Sequence, residues 1–238
     1  MPTIHLINTQ KIPNIYPNQE DEVNMIIVVA HNKGGVGKTS ISLNLAATLK
    51  PSLIIDQDLH QGLAIINQLR DKQLPVITCE TKVELINALK QSDSSNDVLV
   101  DCGGFDSNLN RISIAAADLV IVPANGDITE KIGLRRFDEM LIQLSEDMEQ
   151  HIRVHVLFNR VHHAKRNFGE IENFISSSKH MTRLNTVIPF RKVYPMAMEE
   201  GLSVVEYPPT KQSSAAQEVK ALAKEVKILL RKQKTIDT

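Results

Sequence analysis

The sequence predicts an α/β protein built on a twisted, mostly parallel sheet of about seven strands with helices on both faces. Three observations carry that expectation. Short apolar runs recur along the chain, and they are continuous rather than alternating, as strands buried on both faces should be. Each is followed by a longer segment with helical spacing. The chain has 238 residues, 42% hydrophobic and 23% charged, which suits one well-buried domain and not two large ones.

Residues 1–24 hold three prolines and no sustained period, so they read as an irregular arm with at most a short strand at Ile4 to Ile7. The single domain is expected over 25–238. Its strands are predicted at Ile26 to Ala30, Leu53 to Ile55, Val76 to Cys79, Val98 to Val100, Leu119 to Val122, Val154 to Phe158 and Thr186 to Ile188. Helices are predicted near 38–49, 60–70, 82–91, 107–116, 129–145 and 167–178. Asp127 and Glu130 have capping-box spacing ahead of the stripe Leu134, Phe137, Leu141 and Leu144. Ser214 and Gln217 open a last helix with the stripe Val219, Leu222, Val226, Leu229 and Leu230.

The first predicted strand runs into Lys33-Gly34-Gly35-Val36-Gly37-Lys38-Thr39, and a good helix start follows. Strand, glycine-rich loop and helix N-terminus together make a phosphate cradle, because curled backbone N–H groups and the helix dipole both favour an anion. The pattern is that of a P-loop NTPase binding ATP with magnesium. Lys38 reaches the β- and γ-phosphates, Thr39 ligates Mg2+, and Ser40 bonds the α-phosphate. The strict P-loop pattern needs glycine at position 32, where this chain has Asn32, so the loop is a variant that begins on Lys33.

In an open parallel sheet, chemistry gathers beyond the carboxyl ends of the strands. Two strands end there in aspartate, one at Asp56-Gln57-Asp58 and the other at Asp101-Cys102-Gly103-Gly104. Asp101 is the candidate magnesium-holding carboxylate, with Asp56 as a further metal candidate. Gly103 and Gly104 let backbone approach the γ-phosphate.

The formal net charge of −1 hides a local imbalance. From Lys211 to the end there are seven bases and three acids, whereas Asp127 to Glu149 holds seven acids and three bases. Lys220, Lys224, Lys227 and Arg231 recur at helical spacing, as a phosphate-contacting face would, or a solvated face around the core. Cys79 and Cys102 form no CxxC pattern, which argues against a disulfide framework and for a reducing cytoplasm. No apolar run approaches the ~18 residues of a membrane span.

Together, the Lys33 to Thr39 loop, Asp56-x-Asp58 and Asp101-Cys102 closely resemble the deviant Walker-A ATPases of the ParA/MinD group. The stretch from Ile188-Pro189-Phe190 through Glu200-Gly201 to Tyr207 resembles small ParA partition proteins more narrowly. The resemblance implies a homodimer bridged by ATP, in which Lys33 crosses to the partner's phosphates and Asp58 orients or activates the attacking water. It further implies that Asn159 and Pro189 border the adenine, that the dimer binds DNA without sequence preference, and that a ParB-like or small centromere-binding protein activates hydrolysis. Two motifs depart from the usual pattern. Asp58-Leu59-His60 replaces D-P-Q, and Asp101-Cys102-Gly103-Gly104 replaces D-C-P-P, which should loosen the segment that follows.

Within the group, two isolated cysteines do not suit the iron–sulfur or arsenite-pump relatives, and three scattered tyrosines do not suit the tyrosine kinases. A polar end after Arg231 argues against a membrane-targeting helix. The expectation is therefore a cytoplasmic, nucleoid- or plasmid-associated partition ATPase. The alternatives are a ParA-like ATPase that positions a protein cargo, or a metabolic P-loop enzyme that phosphorylates a small molecule.

Overall fold

The computed structural model describes residues 25–90, 97–165 and 167–234. The expected N-terminal arm, with its Ile4 to Ile7 strand, lies outside them. Strands β1 (Ile26–Val29), β2 (Leu53–Gln57), β3 (Val76–Thr78), β4 (Val98–Cys102), β5 (Leu119–Ala124), β6 (Val154–Val161) and β7 (Met181–Pro189) form one sheet in the order β3-β2-β4-β1-β5-β6-β7. Every pairing is parallel.

Alternate strand residues feed two cores. On one face Val28, Ile55, Val100 and Val122 pack under α3 (Lys82–Leu89), α4 (Asn108–Ala115), α5 (Ile128–Asp147) and α6 (Glu170–Ser177). On the other face Ile27, Val29, Ile54, Leu99 and Ile121 meet α1 (Lys38–Leu49), α2 (Gly62–Gln68), α7 (Val193–Glu199) and α8 (Ser214–Lys234). Burial on both faces is what the continuous apolar runs encode.

The predicted elements form, with some differences. β7 starts at Met181 rather than Thr186, and α7 went unforeseen because it spans seven residues and includes Pro195. Pro195 is tolerated there because the first-turn N–H groups have no intrahelical partner. α8 is capped one residue before the expected position, with Ser213 Oγ accepting from Ala216 N at 3.3 Å. The Asp127–Glu130 capping box does not form. Asp127 makes no side-chain cap, and Glu130 turns inward.

Both sheet edges are blunted. β3 has only three residues. Along β7, Glu225 of α8 accepts from the backbone N–H of Asn185 and of Thr186, at 2.7 and 2.8 Å. No helix among the described residues is long and apolar enough to cross a membrane.

Candidate nucleotide site

The carboxyl ends of β1, β2, β4, β6 and β7 open onto one cavity of about 630 Å³. Its lining joins Gly34, Gly35, Gly37, Lys38, Thr39 and Ser40 of the loop to Asp58, Gly104, Asn159 and Pro189. Val36 is fully buried beneath, and Asp56 and Asp101 lie under the floor, both buried.

The loop is shaped from both sides. Gly37 adopts φ +95 and opens α1, a conformation that favours glycine. β6 breaks register against β7 near its end, and Arg160 there takes φ 57. A bulge of this kind re-aims side chains. Here Asn159 Nδ2 donates to Val36 O at 2.7 Å and an Arg160 guanidinium N–H donates to Gly35 O at 2.8 Å. Asn159 thus lines the cavity, and its amide is a staple on the loop. Arg160 is a site residue that the sequence reading missed, and its only signal was adjacency to Asn159.

Lys38 is buried and its Nζ donates to Lys33 O at 3.1 Å, so the ammonium lies across the loop mouth. Burial lowers its pKa, and Asp101 and Asp58 oppose that shift. Gly104 packs against the loop so closely that an added Cβ would lie 3.3 Å from Gly34 Cα and 3.5 Å from Lys38 Nζ. The glycine that replaces proline in this motif is therefore a close-approach residue. In the segment after it, Asn110 Nδ2 donates to Phe105 O at 2.7 Å.

Asp56 and Asp101 have different surroundings. Asp56 accepts from Asp58 N at 3.0 Å and Ala64 N at 2.9 Å, one amide to each oxygen, so it shapes the turn that carries Asp58. Burial raises its pKa against those bonds. Asp101 Oδ1 accepts from Ser42 Oγ at 2.8 Å, whereas Oδ2 is buried without a hydrogen-bond partner. Burial, with help from Asp56, pushes Asp101 up to about 7, and the nearby Ser42 and Thr39 hydroxyls pull the other way. An unpartnered buried carboxylate oxygen close to a P-loop threonine fits a hard divalent cation, which would satisfy both the lone pair and the charge.

The candidate DNA residues Lys220, Lys224, Lys227 and Arg231 lie exposed on α8, opposite the buried Val219, Leu222, Ala223, Val226 and Leu230. They are not part of the cavity.

A family model described as the CobQ/CobB/MinD/ParA nucleotide binding domain matches residues 27–204, from the first strand past the cavity wall. The chain belongs to this family. The solved structures it resembles share the MinD/ParA fold. In the MinC:MinD cell division protein complex of Aquifex aeolicus, the matching chain is 18% identical, with 85% of this chain and 95% of that one covered and a TM-score of 0.64. The septum site-determining protein MinD of Pyrococcus horikoshii, complexed with Mg-ADP, is 19% identical over 85% and 95% of the two chains, TM-score 0.62. A ParA family ATPase from Chlorobium tepidum is 16% identical over 85% and 98%, TM-score 0.58. No curated protein sequence matches the chain.

Proposed function

We propose that this CobQ/CobB/MinD/ParA-family chain is a ParA-type partition ATPase of the cytoplasm. ATP binds in the cavity, two copies close face to face over the nucleotides, the closed homodimer holds DNA without sequence preference, and hydrolysis to ADP and phosphate releases it. The observation that supports this reading best is the meeting of Lys38, Asp58 and the unpartnered Asp101 oxygen at one phosphate loop.

Each residue has a physical task. The loop amides and Lys38 hold the triphosphate, and Lys38 neutralises charge that grows on the transferred phosphoryl group. Asp58, on the cavity wall, orients the attacking water. Asn159 and Pro189 border the base. Thr39 and Asp101 would hold magnesium, which supplies charge neutralisation at the phosphates. Lys33, at the mouth of the loop, serves the partner's phosphates, so full charge stabilisation exists only in the closed dimer. Lys220, Lys224, Lys227 and Arg231 add salt-dependent affinity for DNA phosphates. A ParB-like or small centromere-binding protein stimulates hydrolysis.

The test is sedimentation and DNA retention with ADP, with ATP, and with ATP on a Lys33→Ala variant. A dimer that retains DNA is expected only for the unaltered chain with ATP. A monomer under all three conditions, without DNA retention, overturns the reading.

A further inference from the structure

Lys33 is the residue that a nucleotide-bridged dimer needs free to cross an interface, and here it is tied to its own subunit. Its Nζ donates to Glu130 Oε2 at 3.1 Å and to Thr129 Oγ1 at 3.2 Å, both in the first turn of α5. The Glu130 side chain is fully buried, and that of Lys33 is 30% exposed. The other Glu130 oxygen lies 2.8 Å from Nε2 of buried His31, and neither atom has another hydrogen-bond partner.

The backbone assigns the histidine's proton. Lys33 N donates to His31 Nδ1 at 3.1 Å, so Nδ1 accepts and the proton of a neutral ring sits on Nε2, facing Glu130. Asn125 N adds a longer bond, at 3.3 Å, to the same oxygen that Lys33 holds. The buried carboxylate is thus held by the Lys33 ammonium, beside His31 Nε2 and a backbone N–H. Burial alone would raise the Glu130 pKa, but His31 and Lys33 outweigh it and hold the carboxyl below its usual value. Taking the ammonium away would strand a buried negative charge, which is far more costly than breaking a surface pair.

We propose that Glu130 is the seat of Lys33 in the single subunit, a positioning residue that holds the lysine until a second copy bearing ATP offers it phosphate oxygens. The idea rests on the nucleotide-bridged dimer proposed above and adds what that dimer must overcome. Closure becomes an exchange in which each Lys33 leaves a carboxylate of its own chain for the triphosphate of the other. A nucleotide lacking the γ-phosphate offers fewer oxygens and leaves the lysine seated.

Two measurements on the full chain test this. In the first, the Lys33 ammonium is followed by NMR without nucleotide, its signal assigned by loss in Lys33→Ala. It should be held in slow exchange in the unaltered chain and released in Glu130→Gln. An ammonium equally free in both overturns the proposal, and this readout does not depend on dimerisation. In the second, sedimentation with ATP and magnesium over a range of protein concentrations reads the half-dimerisation point. Glu130→Gln should lower it by about tenfold, since a hydrogen bond to a charged group no longer has to be broken. Thr129→Ala, at an exposed position where folding is not at stake, should lower it roughly threefold. With ADP both variants should remain monomers. An unchanged or raised half-point in both variants overturns the proposal. An unaltered chain that never dimerises with ATP instead overturns the bridged dimer, and the ammonium measurement still reads the seat.

Discussion

Asp101→Asn should shift the stability of the nucleotide-free protein with pH, raising it at high pH and lowering it at low pH. Asp101 is fully buried, and burial raises its carboxyl from 3.8 to about 7. For an acid shifted this way the sign is unambiguous. Below about pH 4 both folded and unfolded chains are protonated and there is no penalty. As pH rises towards 7 the unfolded chain ionises and the folded one resists, so stability is lost over that window and the full loss persists above it. The gap between 3.8 and about 7 corresponds, at ~1.36 kcal/mol per pH unit, to about 4 kcal/mol. About 3 kcal/mol of this enters between pH 5 and pH 8. Asparagine keeps an acceptor for Ser42 but places an amide where the unpartnered oxygen was, a cost of ~1–3 kcal/mol that does not vary with pH. The useful quantity is therefore the change in the stability difference between the two proteins. Thermal melts in chelator, near pH 5 and near pH 8, should show the melting-temperature gap moving in favour of the variant by roughly 6–12 °C. A gap that is the same at both pH values would refute the argument that a buried, unpaired carboxylate sits under the loop.

Asp58→Ala should slow ATP hydrolysis by about 10²–10⁴-fold and accumulate an ATP-bound dimer in phosphate-release and sedimentation assays; brisk hydrolysis removes Asp58 from the catalytic role. Gly104→Ala should weaken nucleotide binding measured by calorimetry, because its Cβ would press on Gly34 and on the Lys38 ammonium; unchanged affinity shows that the contact yields without consequence. Replacing Lys224 and Lys227 with glutamate should lower DNA affinity at low salt and flatten its salt dependence while ATP binding is kept; unchanged DNA affinity removes α8 from the interface.

The parts of this protein that were legible in the sequence are those whose signal is local. The strand, loop and helix around Lys33 to Thr39 lie where motif and hydropathy put them, and the strands run on past their expected ends, so that Asp56 and Asp101 fall within β2 and β4 and Asp58 just after β2. Contacts between distant residues were illegible. Glu130 stands three residues after Asp127, a spacing that reads as a cap, but its partners His31 and Lys33 lie almost a hundred residues upstream. Arg160 adjoins an expected base contact, yet its bond to Gly35 depends on the irregular end of β6. The Arg191–Glu218 ion pair, at 2.6 Å, likewise joins the cavity wall to α8 through side chains that a linear pattern shows as ordinary surface charges.

The carboxylate that plugs the edge of β7 also bears on how copies of this chain meet. A bare edge strand recruits another strand, and head-to-tail recruitment without closure grows fibres. Glu225 occupies the Asn185 and Thr186 amides that such recruitment would use, and it stands next to Lys224 on α8. One helix thus carries both a charged outer face and the stopper for the sheet. A substitution that weakens Glu225 should register first as turbidity or filament formation rather than as lost catalysis. Association is thereby biased away from open-ended strand addition, which is what the reversible ATP-bridged pair proposed above requires.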